Sequence, residues 1–356
     1  MKVLSLGLDN SVLNQASKVA DRLRRFEGLV AKYVVIVPSY KSRFIELAPT
    51  IHIYGVSGFG KVGQLWQIYR LANKLVKTEG YNILTVQDTY YLALVGWLIA
   101  KKNKLPLEIQ VHGFEKENYL RQLVARFVLK KAQVVRVVSG RLKYEVCRDY
   151  NLNLEQVYIL PIFPPLLAGP LPKSDYNIGQ RFMFLAVGRL VPIKRFDLQL
   201  RAVAQLALRH SNFELCIVGD GPERVKLETL AVNLGIRNLV EFCGHQSPFY
   251  FYHKADVFLL TSDREGWGMV AIEAAAAGLP IIMTDVGLAG EVLHGNKEAL
   301  IIPTGDEEAL VEAMANLMTD DKLRCSLGTN ATKAIAKLPA GDKVASLYIK
   351  EWKKLL

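Results

Sequence analysis

The chain has 356 residues and a mass of 39.8 kDa, with 51% hydrophobic residues, 22% charged residues and a formal charge of +11. A single core stops growing near about 250–300 residues, so this length implies two domains; the composition is too apolar for disorder and too poor in glycine and proline for a fibre. The positive excess is one-sided. Residues 1–165 carry a net +12 and the rest −1, a field suited to lipid headgroups, nucleic acid or a phosphorylated acceptor, with solubility alone as the bland reading.

Met1–Leu8 alternates toward a first strand and has no signal-peptide core. β-Branched runs then predict strands at Lys2–Leu6, Tyr33–Val37, Ile83–Val86, Leu107–Val111, Val134–Val138 and Val157–Leu160. Helical periods between them cover Gln15–Glu27, Gln64–Thr78, Tyr90–Lys101 and Tyr119–Lys131. The second half repeats the scheme. Its strands are Met183–Val187, Glu214–Val218, Val240–Phe242, Val257–Thr261, Ile281–Thr284 and Leu300–Ile302; its helices are Arg195–His210, Glu223–Leu234, Met269–Ala277 and Glu307–Leu317. Alternating βα units of this length predict an α/β fold of two Rossmann-like, doubly wound parallel sheets.

Proline density marks the boundary between them, because proline breaks both helix and strand. The expected organisation is an N-terminal domain over 1–163, a Pro-rich linker over 164–180, a C-terminal domain over 181–340, and a final helix over 341–356 that crosses back. Two such domains are expected to face each other across a ligand-binding cleft. The longest uncharged stretch, Thr89–Ala100, has 12 residues, whereas a spanning helix needs about 20. The expected location is therefore cytoplasmic, peripheral at the inner face of the membrane. Cys147, Cys216, Cys243 and Cys325 show no CxxC spacing and read as buried thiols of a reducing compartment, not as a disulfide frame or zinc site.

Three segments carry chemistry. Ser262–Pro280, SDREGWGMVAIEAAAAGLP, follows a buried strand, turns at Gly266–Gly268 and opens a helix at Met269. A glycine-preceded helix N-terminus offers free amides and partial positive charge to a phosphate. Glu265 and Glu273 sit on one loop–helix unit, and carboxylates accept paired hydrogen bonds from the vicinal diols of sugars and riboses. In VGRLVPIKRF, Gly188 and Arg189 end a strand and Lys194 starts the next helix, so their cations can neutralise a diphosphate. VGDGPE, Val218–Glu223, alone is a turn.

In this order and spacing GRLVPIKRFD, VGDGPE, VEFCGH and SDREGWGMVAIEAAAAGLPII resemble the GT-B fold retaining glycosyltransferases of family 4 (glycosyl transferases group 1). Glu265 and Glu273 match that family's E-x7-E motif. The resemblance is strong over roughly Phe182–Pro303 and weaker but continuous through the N-terminal half. It implies that Arg189 and Lys194 bind the donor diphosphate, Glu265 the transferred sugar and Glu273 the ribose. It likewise implies that Gly266, Trp267, Gly268 and Met269 contact phosphate and sugar through backbone amides, with Gly188 beside them and the loop at Gly244 over the base. His112, in QVHGFE, resembles the family's active-site histidine, which contacts the donor sugar. Gly7, Asp9 and Asp88 fall on the acceptor side.

Two departures stand out. GLDNSVL, Gly7–Leu13, replaces the family's usual Gly-Gly pair, and PIFP, Pro161–Pro164, replaces its Pro-Asn-Gly; both bear on acceptor chemistry. The implied reaction moves a hexose from a UDP- or GDP-linked sugar to a saccharide or lipid-linked acceptor, with retention by a front-face path. No DxD pair stands near a strand end, so no metal and no cofactor is expected. Tyr119–Lys131 is basic and amphipathic, with Leu120, Leu123, Val124, Phe127 and Val128 read as its apolar side. Its Arg121, Arg126, Lys130 and Lys131 suit an anionic membrane surface. No nucleic-acid-binding motif accompanies the charge. A sugar-nucleotide epimerase of similar fold and a non-catalytic nucleotide-sugar-binding protein are the alternatives.

Overall fold

The structure is a computed structural model that describes residues 1–113, 119–162, 181–339 and 341–356. It divides into unit 1, Met1–Pro161 with Ala340–Leu356, and unit 2, Ile162–Pro339. The expected linker over 164–180 lies outside the described residues.

Unit 1 runs β1 (Lys2–Leu6), α1 (Lys18–Arg24), β2 (Lys32–Pro38), β3 (Arg43–Ala48), β4 (Ile51–Val56), α2 (Gly60–Glu79), β5 (Ile83–Val86) and α3 (Tyr91–Asn103). It continues with β6 (Leu107–Val111), α4 (Tyr119–Lys131), β7 (Val134–Val137), α5 (Gly140–Tyr150) and β8 (Val157–Ile159). The strands form one eight-stranded sheet, β3-β4-β2-β1-β5-β6-β7-β8, parallel except for β3 at the edge. Strand order reverses between β1 and β5, so the loops after these two strands meet at a topological switch point.

Unit 2 runs β9 (Phe182–Val187), α6 (Phe196–Leu206), β10 (Phe213–Val218), α7 (Arg224–Asn233), β11 (Val240–Gly244), α8 (Phe249–Lys254), β12 (Val257–Leu260) and α9 (Met269–Ala276). β13 (Ile281–Thr284), β14 (Leu300–Ile302), α10 (Glu307–Thr319) and α11 (Asp321–Ala336) complete it. Its sheet, β11-β10-β9-β12-β13-β14, is wholly parallel and reverses between β9 and β12. Near-continuous apolar strands such as FMFLAV and FELCIV suit a sheet covered on both faces. Phe184, Phe213, Leu215, Ile217, Leu259 and Ile282 are buried in its core against α6 and α10, each burial worth about 1.5–3 kcal/mol.

The final helix, α12 (Gly341–Lys353), belongs to unit 1. Trp352 is fully buried, stacked on Phe26 at 5.7 Å and edge-on to Tyr33 at 6.0 Å. Under the same sheet lies a polar network that the apolar reading of these strands did not anticipate. The Thr85 hydroxyl donates to Glu108 at 2.5 Å, Arg136 donates to Gln110 at 2.8 Å and to the Leu160 carbonyl, and Tyr158 donates to Glu108. These groups are buried or nearly so, and pairing offsets the cost of removing charge from water.

Other expectations need correction. The β3–β4 hairpin was not foreseen, because RFIELA and IHIYGV are short and interrupted by charge and glycine. Helices α5, α8 and α11 were missed as well. Helix α1 is limited to Lys18–Arg24, started by the Ser17 hydroxyl accepting from the Ala20 amide. Of the four cysteines only Cys216 is buried; Cys147 and Cys243 are half-buried and Cys325 is exposed. Helix α4 splits the apolar side read from its sequence. It turns Ala125, Val128 and Leu129 to the sheet, the arc whose small and branched side chains allow close approach, and leaves Leu120, Leu123 and Phe127 exposed. Among the described residues no helix is long and apolar enough to cross a membrane.

Candidate active site

The carboxyl ends of β9 and β12, at the switch point of unit 2, bring the sequence-predicted donor residues together. Gly188 and Arg189 follow β9, and a single helical turn, Pro192–Lys194, presents Lys194. Its Nζ meets Glu265 Oε1 at 2.5 Å, and Ser262, just past the end of β12 and Thr261, donates its hydroxyl to the same oxygen at 2.7 Å. The Glu265 side chain is only 11% exposed, so the cation and the hydroxyl compensate a desolvated carboxylate. The loops are tied by backbone too: the Asp263 amide donates to the Ile193 carbonyl at 2.9 Å. Arg189 is exposed.

Arg195 locks the same loop. It adopts a left-handed backbone, φ 52°, and pairs with Asp197 at 3.2 Å and Asp263 at 2.9 Å. Its pairing overcomes burial and raises its pKa. Beneath it the Thr261 hydroxyl donates to the Lys194 and Arg195 carbonyls and accepts from Gln199.

Past Gly266 the chain buries Trp267 and reaches Gly268, whose φ of 90° is open to glycine without strain. Helix α9 starts there, and no side chain caps its first turn, which leaves its amide end suited to an anion. The turn is pressed by a second glycine. A Cβ on Gly287 would stand 2.6 Å from the Trp267 carbonyl oxygen and 3.0 Å from Glu265 Cβ. Glu273 lies on α9 and accepts from the Tyr252 hydroxyl at 3.0 Å. Burial and the Glu273 charge push the Tyr252 pKa up, so the phenol stays a donor.

Gly244 ends β11 at φ 72°, and its carbonyl accepts from the Gly219 amide at 2.9 Å. Gly219 in turn abuts Gly188, whose carbonyl oxygen would lie 1.9 Å from an added Cβ. The ends of β9, β10 and β11 thus form a floor without side chains. Arg195 lies beside Lys194 in the basic VGRLVPIKRF segment and Gly219 in the VGDGPE turn, whereas Ser262, Tyr252 and Gly287 were not singled out from sequence. Tyr252 sits in the aromatic run FYFYHK, where nothing distinguishes it from its neighbours.

In unit 1, Gly7 follows β1 and Asp88 follows β5, at that sheet's own switch point; the Gln87 amide donates to the Leu6 carbonyl at 2.9 Å. Asp9 caps a short turn by accepting from the Ser11 amide at 2.9 Å, and Asp88 accepts from the Leu92 amide at 3.0 Å. Both carboxylates therefore hold local structure. His112 follows β6; part of its surface is open to solvent, while the rest lies within the surrounding chain. Desolvation by the surrounding chain, with the charges of Arg136 and Arg22, lowers its pKa to about 3; the ring is neutral at pH 7.

Helix α4 carries Arg121, Arg126, Lys130 and Lys131, all exposed. The Arg121 guanidinium lies 5.0 Å from the Tyr90 ring centroid, and Arg126 donates weakly to the Asp149 carbonyl at 3.4 Å. Leu94 and Leu98 of α3 are exposed along with Leu120, Leu123 and Phe127 of α4. Trp97 and Phe127 join the two helices edge to face at 4.8 Å.

Comparison with known proteins gives a consistent result. Residues 19–162 match the family model described as Glycosyltransferase Family 4, and residues 173–334 match Glycosyl transferases group 1. A D-inositol 3-phosphate glycosyltransferase of Corynebacterium jeikeium is 26% identical over 293 residues, 73% of this chain and 70% of its own. A GDP-mannose-dependent alpha-(1-6)-phosphatidylinositol monomannoside mannosyltransferase of Mycolicibacterium smegmatis is 27% identical over 258 residues, 67% of each chain. Among solved structures, Anabaena HepE in complex with UDP-glucose superposes with a TM-score of 0.82 at 16% identity, covering 100% of both chains.

Proposed function

The chain belongs to the GT-B fold glycosyltransferases of family 4, and from that premise we propose that it moves a hexose from a nucleotide-diphosphate sugar to a saccharide or lipid-linked acceptor with retention. The observation that carries the proposal is the Lys194–Glu265–Ser262 cluster beside the uncapped start of α9. Glu265 holds the hydroxyls of the transferred sugar, and Glu273, braced by Tyr252, holds the ribose. Arg189 and Lys194, with the amides of Gly266–Met269, take up the charge that develops on the leaving diphosphate. His112 is a neutral imidazole available for hydrogen bonding to the sugar. The departing phosphate oxygen accepts the acceptor proton, so the protein needs stabilised leaving charge and no strong base. UDP or GDP is the donor carrier. The relatives' names support that range: one is GDP-mannose-dependent, and HepE is bound to UDP-glucose.

Family membership favours transfer over epimerisation. A thermal-shift panel of UDP-, GDP- and ADP-sugars followed by product analysis with candidate acceptors tests the reading: a stabilising donor that yields neither glycosylated product nor released nucleotide defeats it. Lys194→Ala is expected to lower turnover by ~10²-fold or more, the loss that follows removal of one preorganised donor. After EDTA treatment, magnesium or manganese should add nothing; restoration of lost turnover by either ion would replace the cation assignment with a bridging metal.

The acceptor side extends to a surface. The apolar residues Leu94, Leu98, Leu120, Leu123 and Phe127, flanked by Arg121, Lys130 and Lys131, fit the anionic headgroups and acyl boundary of a bilayer. The occupant proposed for this face is an anionic membrane, which would bring the enzyme to a membrane-proximal acceptor.

A further inference from the structure

On the edge of the unit 2 sheet, a thiol of β10 meets a thiol and a carboxylate of β11. Cys216 of β10 pairs in register with Glu241 of β11 and Ile217 with Phe242, but the register then shifts and Val218 meets Gly244. Cys243 is the extra residue of this bulge. Bulges re-aim the side chains they carry, and this one turns the Cys243 sulphur onto Cys216, with the two Sγ atoms 2.9 Å apart. Unbonded sulphurs do not ordinarily pack so closely. The Glu241 carboxylate completes the group, its oxygen and both Sγ atoms lying within 4.8 Å of one another. Cys216 is buried, Cys243 half-buried and Glu241 exposed, so the cluster has a closed floor and an open side.

The geometry points to a binding site for one thiophilic divalent cation, of which zinc is the physiological type, held by Cys216, Cys243 and Glu241. Two thiolates and a carboxylate are a donor set that zinc accepts in tetrahedral coordination, with water or another oxygen as the fourth ligand. Chelation at a Zn–S distance of about 2.3 Å needs the sulphurs to part to roughly 3.7 Å, a small side-chain rotation that relieves their present contact. Charge favours a cation here. Glu241 and Glu214 both bear on the two thiols, so a divalent ion would neutralise like charges that otherwise repel. Because Cys243 directly precedes Gly244, the ion would clamp the strand end that holds Gly219 through the Gly244 carbonyl. CxxC spacing could not reveal this site; parallel pairing and a bulge build it.

The test uses reduced full-length protein carrying C147S and C325S, which removes the two cysteines outside the cluster. It should take up one Zn(II) per chain in competition with a chromophoric chelator, and Cd(II) in its place should give ultraviolet thiolate-to-cadmium absorption. C243S should remove that absorption and weaken zinc binding by at least about 100-fold. E241Q, at an exposed position that leaves the fold intact, should weaken binding by about tenfold while the absorption remains. Absence of uptake by the folded, reduced chain overturns the proposal, as does uptake indifferent to both C243S and E241Q. A Cys216–Cys243 disulfide formed on mild peroxide treatment despite stoichiometric zinc overturns it in favour of a redox pair.

Discussion

At Glu273 one carboxylate oxygen already holds the Tyr252 hydroxyl at 3.0 Å, and this decides what a substitution there measures. Tyr252 is 2% exposed, so Glu273→Ala takes the nearer acceptor from a buried phenol, which keeps the Val270 carbonyl at 3.4 Å, as well as removing the proposed donor ligand. Tyr252→Phe separates the two effects: it frees the carboxylate from its brace but keeps its charge. If Glu273 accepts the ribose hydroxyls, Glu273→Ala should lose roughly 1.5–3 kcal/mol of donor binding, about ten- to more than a hundredfold in affinity. Tyr252→Phe should lose less. Calorimetry with the stabilising donor checks both, and unchanged affinity in Glu273→Ala removes the residue from the donor site. His112 makes a prediction of another kind. Its folded pKa is about 3, below the unfolded value of about 6.5, so between these values the unfolded chain binds a proton that the folded chain refuses. Acid therefore weakens the fold across that window, and stability is regained as pH rises through 6.5. The imidazole resonances should stay flat from pH 8 to pH 5; a titration midpoint near 6.5 would show that the ring is free of its surroundings.

Among the elements, α12 carries the clearest structural load. Trp352 fills a space between Phe26, Tyr33 and Tyr348, and removing an indole from a closed core costs about 3–5 kcal/mol. Trp352→Ala should shift the urea transition of unit 1 by that amount, while Trp352→Phe keeps most of the packing and shifts it less. A transition unmoved by Trp352→Ala would mean that the helix adds nothing to the unit. What was legible in the sequence follows from how local each signal is. The parallel βα units declare themselves because buried parallel strands are continuous apolar runs, and the loop–helix from Ser262 to Ala276 is readable because glycine, carboxylate and helix start lie within one stretch. The β3–β4 hairpin was illegible for the opposite reason: an edge pair exposed on one side, bearing Arg43 and Glu46, has no such run. Glu108 and Arg136 were hidden in strands whose neighbours are apolar, since only pairing across β5, β6, β7 and β8 makes a buried charge tolerable. Tyr252 and Gly287 act on a site composed elsewhere in the chain, and no spacing rule connects them to it. In α4, hydrophobic residues occupy two arcs of the helix, and period alone could not say which arc the sheet would take.

For the molecule as a whole, a net +12 on residues 1–165 against −1 on the remainder separates two kinds of chemistry by sequence half. The carboxylates of the proposed donor site lie in unit 2, whereas the basic excess and the open apolar arc lie in unit 1. Neither feature of unit 1 alone would hold a bilayer. Charge without apolar area is screened within about 8 Å at physiological salt, and apolar area without charge does not select among lipids. Together they make a specific expectation with two separable parts. Reversing Arg121, Arg126, Lys130 and Lys131 to Glu should release the protein from vesicles rich in anionic lipid, and raising the salt should do the same to the unaltered protein. Replacing Leu120, Leu123 and Phe127 by Ser should weaken binding too, but with the salt dependence retained, because the cations still make the first encounter. All three side chains are exposed, so the fold should tolerate the change, and donor binding in unit 2 should be unaffected in both variants. Sedimentation with vesicles of matched size, neutral against anionic, reads the difference. Equal partitioning onto both kinds of vesicle would defeat the electrostatic part, and wild-type binding by the triple Ser variant would defeat the apolar part.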